Sequence, residues 1–114
     1  MNNVEFRKGE CFIPQVSSEV MVRARNKGLI VVCVPTEIRV EDQDLLGYIF
    51  LIPESKDKLV LGEYTYIPMY VYHDQVGNIH LGIPIAKGHD ELAYEVKKLV
   101  EEIFPNCRVT TFVD

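Results

Sequence analysis

Cysteine is scarce in this chain, and its three copies, Cys11, Cys33 and Cys107, stand far apart in 114 residues. An odd count, with no Cys-x-x-Cys spacing and no histidine nearby in sequence, excludes a disulfide-framed miniprotein and a local zinc site. The thiols are read as free and buried, Cys33 acting as a small hydrophobe within Ile30-Val31-Val32-Cys33-Val34. Long apolar runs are also missing. The longest, Leu29 to Val34, falls far short of the roughly 20 residues that a membrane span requires. The opening Met1–Lys8 lacks the apolar core of a signal peptide, so the expectation is a cytoplasmic protein without membrane contact. Gly-x-Gly-x-x-Gly, Gly-x-x-x-x-Gly-Lys and Gly-x-Ser-x-Gly are absent, and with them the usual signals for a dinucleotide, a nucleotide phosphate or an exposed serine nucleophile. No cofactor is implied.

Alanine is equally rare, at three residues against fifteen valines and ten isoleucines. Branching at Cβ restricts side-chain rotamers in a helix and suits a pleated surface, so most of the chain is expected to be extended. The composition, 47% hydrophobic and 25% charged, is that of a globular domain. A chain of this length buries about two-thirds of its unfolded surface and folds without metal or cross-links. Residues 1–114 therefore read as one domain. The net charge of −5 is unevenly spread: residues 1–28 carry five cations against three carboxylates, which leaves −7 on the remainder. Such a balance disfavours a general nucleic-acid binder and favours partners with positive surfaces.

Along the chain, Glu10–Ile13 is a possible short strand closed by Pro14. Ser18–Gly28 has two readings. A serine cap and a glycine stop suit a helix. The alternation of Val20, Val22 and Ala24 with Met21, Arg23 and Arg25 suits a strand, turning at Asn26-Lys27-Gly28 into Leu29–Val34, and the hairpin is preferred. Thr36–Asp44 reads as a polar loop or irregular edge. Leu45–Ile52 is a nearly continuous apolar run, as expected of a central strand covered on both faces, and Leu59–Leu61 extends again. Tyr64–His73 and Asn78–Ala86 form a hairpin through Asp74-Gln75-Val76-Gly77. The turn sets His73 opposite Ile79, Tyr72 opposite His80, Val71 opposite Leu81, Met69 opposite Ile83 and Ile67 opposite Ile85. That register gathers Ile67, Met69, Val71, Ile79, Leu81, Ile83 and Ile85 on one face, and Tyr64, Tyr66, Tyr70, Tyr72 and His80 on the other.

Asp90–Phe104 is the clear helix, with Leu92, Val96, Leu99 and Ile103 at helical spacing, Asp90 as cap and Pro105 as stop. Its apolar stripe is the natural cover for the aliphatic face. Arg108–Val113 then returns as a strand parallel to Asn78–Ala86. The fold class is α+β: a mainly antiparallel sheet with one long C-terminal helix on its aliphatic face and a final strand after it.

Four groups of residues carry candidate chemistry. The stripe Tyr64, Tyr66, Tyr70 and Tyr72 with His80 is either a second half-covered core beneath the N-terminal hairpin or an interface for a partner protein or a second copy. With Arg23, Arg25 and Lys27 it is also a possible base-stacking surface for single-stranded nucleic acid. Lys87, Gly88 and His89 open the C-terminal helix, where free amides favour an anion. Asp42, Asp44 and Glu54 are the carboxylates of a possible metal-dependent hydrolase or nuclease. The leading expectation is a non-catalytic binding or regulatory protein, resembling an inhibitor or immunity partner in its manner of action. It would work through its acidic surface or its tyrosine face, and would self-associate.

Overall fold

A computed structural model describes residues 17–35, 39–40, 43–55, 66–73 and 78–113. Among these residues two helices, α1 (Ser18–Asn26) and α2 (Asp90–Ile103), accompany six strands: β1 (Leu29–Pro35), β2 (Arg39–Val40), β3 (Gln43–Pro53), β4 (Ile67–His73), β5 (Ile79–Ile85) and β6 (Arg108–Val113). The sheet runs in the order β1-β3-β4-β5-β6, with β2 paired to β3. Every pairing is antiparallel except that of β5 with β6, which the connection through α2 makes parallel. The architecture is the expected α+β one. The possible strands at Glu10–Ile13 and Leu59–Leu61 lie outside the described residues.

The preferred N-terminal hairpin is overturned: residues 18–26 form helix α1. The period-two alternation there coincided with a helical face. Val20 and Ala24, four apart, are the two buried residues of α1, while Val22 is 57% exposed. The Asn26-Lys27-Gly28 signal ends this helix instead of joining strands. Lys27 N and Gly28 N donate to Ala24 O and Arg25 O, and Gly28 takes the positive φ of 75° that a side chain would strain.

The polar segment at residues 36–44 is partly strand, since Arg39–Val40 pairs with Gln43–Asp44. Strand β3 is interior to the sheet, but among the described residues the helices cover one of its faces only. Ile49 and Leu51 are fully buried, whereas Ile52 is 38% exposed and Tyr48 and Phe50 are half-buried.

The hairpin register holds from His73 opposite Ile79 to Tyr70 opposite Gly82. Pairing stops there, short of Met69 with Ile83 and Ile67 with Ile85. The next pairs would bring Pro68 against Pro84, and neither has an N–H to donate. All seven aliphatic side chains assigned to the inner face are buried.

Both helices lie on that inner face. Val96, Val100 and Ile103 of α2 are fully buried in one cluster with Val20 and Ala24 of α1 and the inner residues of the sheet. Each valine or isoleucine side chain so removed from water stabilises the fold by about 1.5–3 kcal/mol. Leu92 and Leu99, expected in the same stripe, are half-buried at its margin. The cap of α2 is His89, not Asp90, and its side chain makes no capping hydrogen bond. Asp90 and Glu91 occupy the first turn, where the dipole favours them. Cys33, expected as a free thiol, is disulfide-bonded, whereas Cys107 is free and its pKa is raised by burial. Among the described residues, no helix is long and apolar enough to cross a membrane.

Candidate binding surface

With both helices on one side, strand alternation sends every second side chain to the other. The register aligns these side chains into rows. Ile30 lies beside Ile52, Val32 beside Phe50 and Val34 beside Tyr48; Tyr48 lies beside Tyr70, Phe50 beside Pro68, Tyr72 beside His80 and Pro84 beside Phe112. This face is open. Ile30, Val32, Val34, Ile52 and Phe112 are 37–38% exposed and Tyr66 is 46% exposed.

The rings form a connected array. Tyr66 meets Phe50 edge-on at 5.9 Å, Phe50 stacks on Tyr48 at 6.4 Å, Tyr48 tilts against Tyr70 at 5.5 Å, and Tyr70 against Phe112 at 5.8 Å. Such contacts add about 0.5–1.5 kcal/mol each beyond the area they bury. At one corner Tyr72 stands edge-on to His80 at 4.9 Å and 81°, and His80 Nε2 is hydrogen-bonded to Thr110 Oγ1 at 2.7 Å. Burial, and secondarily the neighbouring Tyr70, raises the Tyr72 pKa above its ordinary value.

Gly82 makes this packing possible. A Cβ built there would overlap the Tyr72 hydroxyl and lie 3.3 Å from its Cζ and 3.4 Å from Phe112 Cε1. The bare backbone at Gly82 thus forms the floor on which the two rings converge.

Of the expected stripe, Tyr66, Tyr70, Tyr72 and His80 share this face, and Tyr64 lies outside the described residues. Tyr48, Phe50, Gly82 and Phe112 were missed. For Tyr48 and Phe50 the signal was present as the period-two placing of rings in Tyr48-Ile49-Phe50-Leu51, masked by the aliphatic residues between them. The N-terminal hairpin expected to half-cover this stripe is absent, because residues 18–26 are a helix on the other side of the sheet.

The same displacement separates the basic residues from the tyrosines. Arg23 Nε donates to Ile103 O at 3.0 Å, Lys27 pairs with Glu102 at 2.6 Å, and Arg25 with Glu54 at 3.5 Å. These cations hold α1 to its neighbours. On the open face the described cation is Arg108, at a corner beside His80.

The carboxylate set is not brought together. Asp42 lies outside the described residues. Asp44 is near the start of β3 and Glu54 follows its end, ten residues of extended chain apart, a span of roughly 33 Å that no shared metal could bridge. Among the described residues no three His, Cys, Asp or Glu side chains are grouped to hold a metal ion. Gly88 and His89 line a hollow at the start of α2 together with Asp90, Glu91 and Leu92, and Lys87 stands exposed before it. Two carboxylates in that first turn oppose an anion. No protein-family model, no curated protein and no solved structure matches the chain.

Proposed function

We propose that this chain is a non-catalytic interaction protein whose open sheet face docks an uncharged, apolar surface of a protein partner. The observation that supports this reading is the aromatic array on a sheet whose opposite face is already filled. Soluble proteins rarely leave so continuous an apolar surface to water, and tyrosine, phenylalanine and arginine are enriched where proteins meet. The tyrosine hydroxyls keep the face wettable while the chain stands alone, and the rings supply contact area on docking. The acidic remainder of the molecule acts beside this face. It disfavours acidic competitors and nucleic acid by like charge, which sharpens the choice of partner.

The nucleic-acid reading is the weaker one, because stacking platforms for single strands work with cations that follow the backbone, and Arg23, Arg25 and Lys27 are engaged on the helical side. A photo-crosslinking amino acid introduced in place of Tyr66 tests the proposal, with Tyr94 as control. Tyr94 is 73% exposed on α2, away from the array. Protein adducts from position 66 in excess of those from position 94 are expected. Equal yields, or adducts to nucleic acid alone, overturn it.

A further inference from the structure

Resting on that reading, we infer that the occupant of the open face is a second copy of this chain, packed face to face about a two-fold axis. Area is the first argument. Five strands, each about 4.8 Å wide and roughly 23 Å long, present a platform on the order of 500 Å² in projection. Ridged side chains expose more than their projection, which brings the face to the scale of the ~800 Å² that each partner contributes to a stable interface. A docked peptide or a single helix would cover only part of it. A second sheet of the same width covers it all.

Charge is the second argument. The chain carries −5 overall, yet the described part of this face bears a single cation, Arg108, at its margin. A basic partner drawn by the acidic surface would have nothing to pair with here. The face fits a surface as free of charge as itself, and a second copy supplies one of identical extent.

Geometry is the third. Sheets pack face to face at about 10 Å with their strands inclined by about 30°, and the two faces interdigitate. A two-fold axis makes such contacts self-complementary. Tyr70 is at the centre of the platform, on the middle strand of the five, with Tyr48 on one side and Gly82 on the other. Opposed copies of this row bring the rings of Tyr48, Tyr70 and Phe112 against one another across the axis. The product is a four-layer molecule, helices outside and two sheets within.

Sedimentation of the purified chain between about 1 and 100 micromolar tests this, a range that spans ordinary dimer affinities. The wild type is expected at twice its 13.1 kDa. Tyr70→Glu is expected to weaken the dimer by at least about thirtyfold while keeping the monomer's circular dichroism. If Tyr70→Glu fails to fold, Val32→Lys, at a position 37% exposed, carries the same test. A wild-type monomer throughout the range overturns self-pairing. Crosslinks from position 66 to a different protein would then leave the docking reading standing, and their absence would remove both. A dimer indifferent to both substitutions overturns the inference as well.

Discussion

Arg23 Nε donates to the main-chain oxygen of Ile103 at 3.0 Å, across eighty residues of sequence, and so ties the short helix α1 to the C-terminal end of α2. The last carbonyls of a helix have no partner within it, and a cation there also meets the negative end of the dipole. Lys27 adds a contact one turn further on, to Glu102. Helix α1 buries only two residues fully, so these polar links matter to its position. Arg23→Ala is expected to cost about 1–2 kcal/mol of stability, from the charged hydrogen bond and the dipole together. Denaturant titration should move the midpoint with little change in slope.

The two faces of the sheet predict unequal responses to truncation. Ile83 is fully buried on the inner face, and Ile83→Ala is expected to cost about 2–5 kcal/mol. Tyr66→Ser, on the open face, is expected to cost less, about 0.5–1.5 kcal/mol, for the lost ring contact with Phe50. Thermal unfolding of the two variants below the dimer's dissociation constant checks the contrast.

The floor at Gly82 couples to the hydroxyl above it. Gly82→Ala inserts a methyl group where the Tyr72 hydroxyl lies, and overpacking of this kind costs about 1–3 kcal/mol. Removing the hydroxyl relieves it. Gly82→Ala is therefore expected to cost measurably less in a Tyr72→Phe background than in the wild type, and a double-mutant cycle in denaturant reads the difference.

The link between Lys27 and Glu102 sets a pH dependence. The hydrogen bond from Lys27, and next its charge, lower the Glu102 pKa below the usual carboxylate value. A depressed folded-state pKa contributes stability above the unfolded value and loses it as pH falls through the folded one. Glu102→Gln is expected to flatten the acid limb of the stability profile, and added salt to flatten it in the wild type.

Much of this was legible beforehand, and the failures have physical causes. The register at Tyr72 and His80 followed from turn chemistry and the separation of tyrosine from aliphatic side chains. Helix α2 followed from a stripe repeated over four turns. Helix α1 did not, because nine residues give too few repeats to distinguish period two from period 3.6 when Val20 and Ala24 satisfy both. The open face of β3 was hidden for a related reason. Tyr48 and Phe50 are apolar enough to read as core, and nothing local says that both described helices pack on the opposite face of their strand. Gly82 carried no signal, since its role depends on Tyr72 and Phe112 arriving from strands on either side.

Hydroxyl-radical footprinting as a function of protein concentration tests the central claim, that chains meet on the open face, most directly. Tyr66 and Phe112 report on that face, and Tyr94, more exposed than either, reports on the helical side. The account predicts that labelling of Tyr66 and Phe112 falls severalfold as the dimer forms while labelling of Tyr94 holds constant. Protection of Tyr94, with Tyr66 and Phe112 unchanged at every concentration, would contradict it.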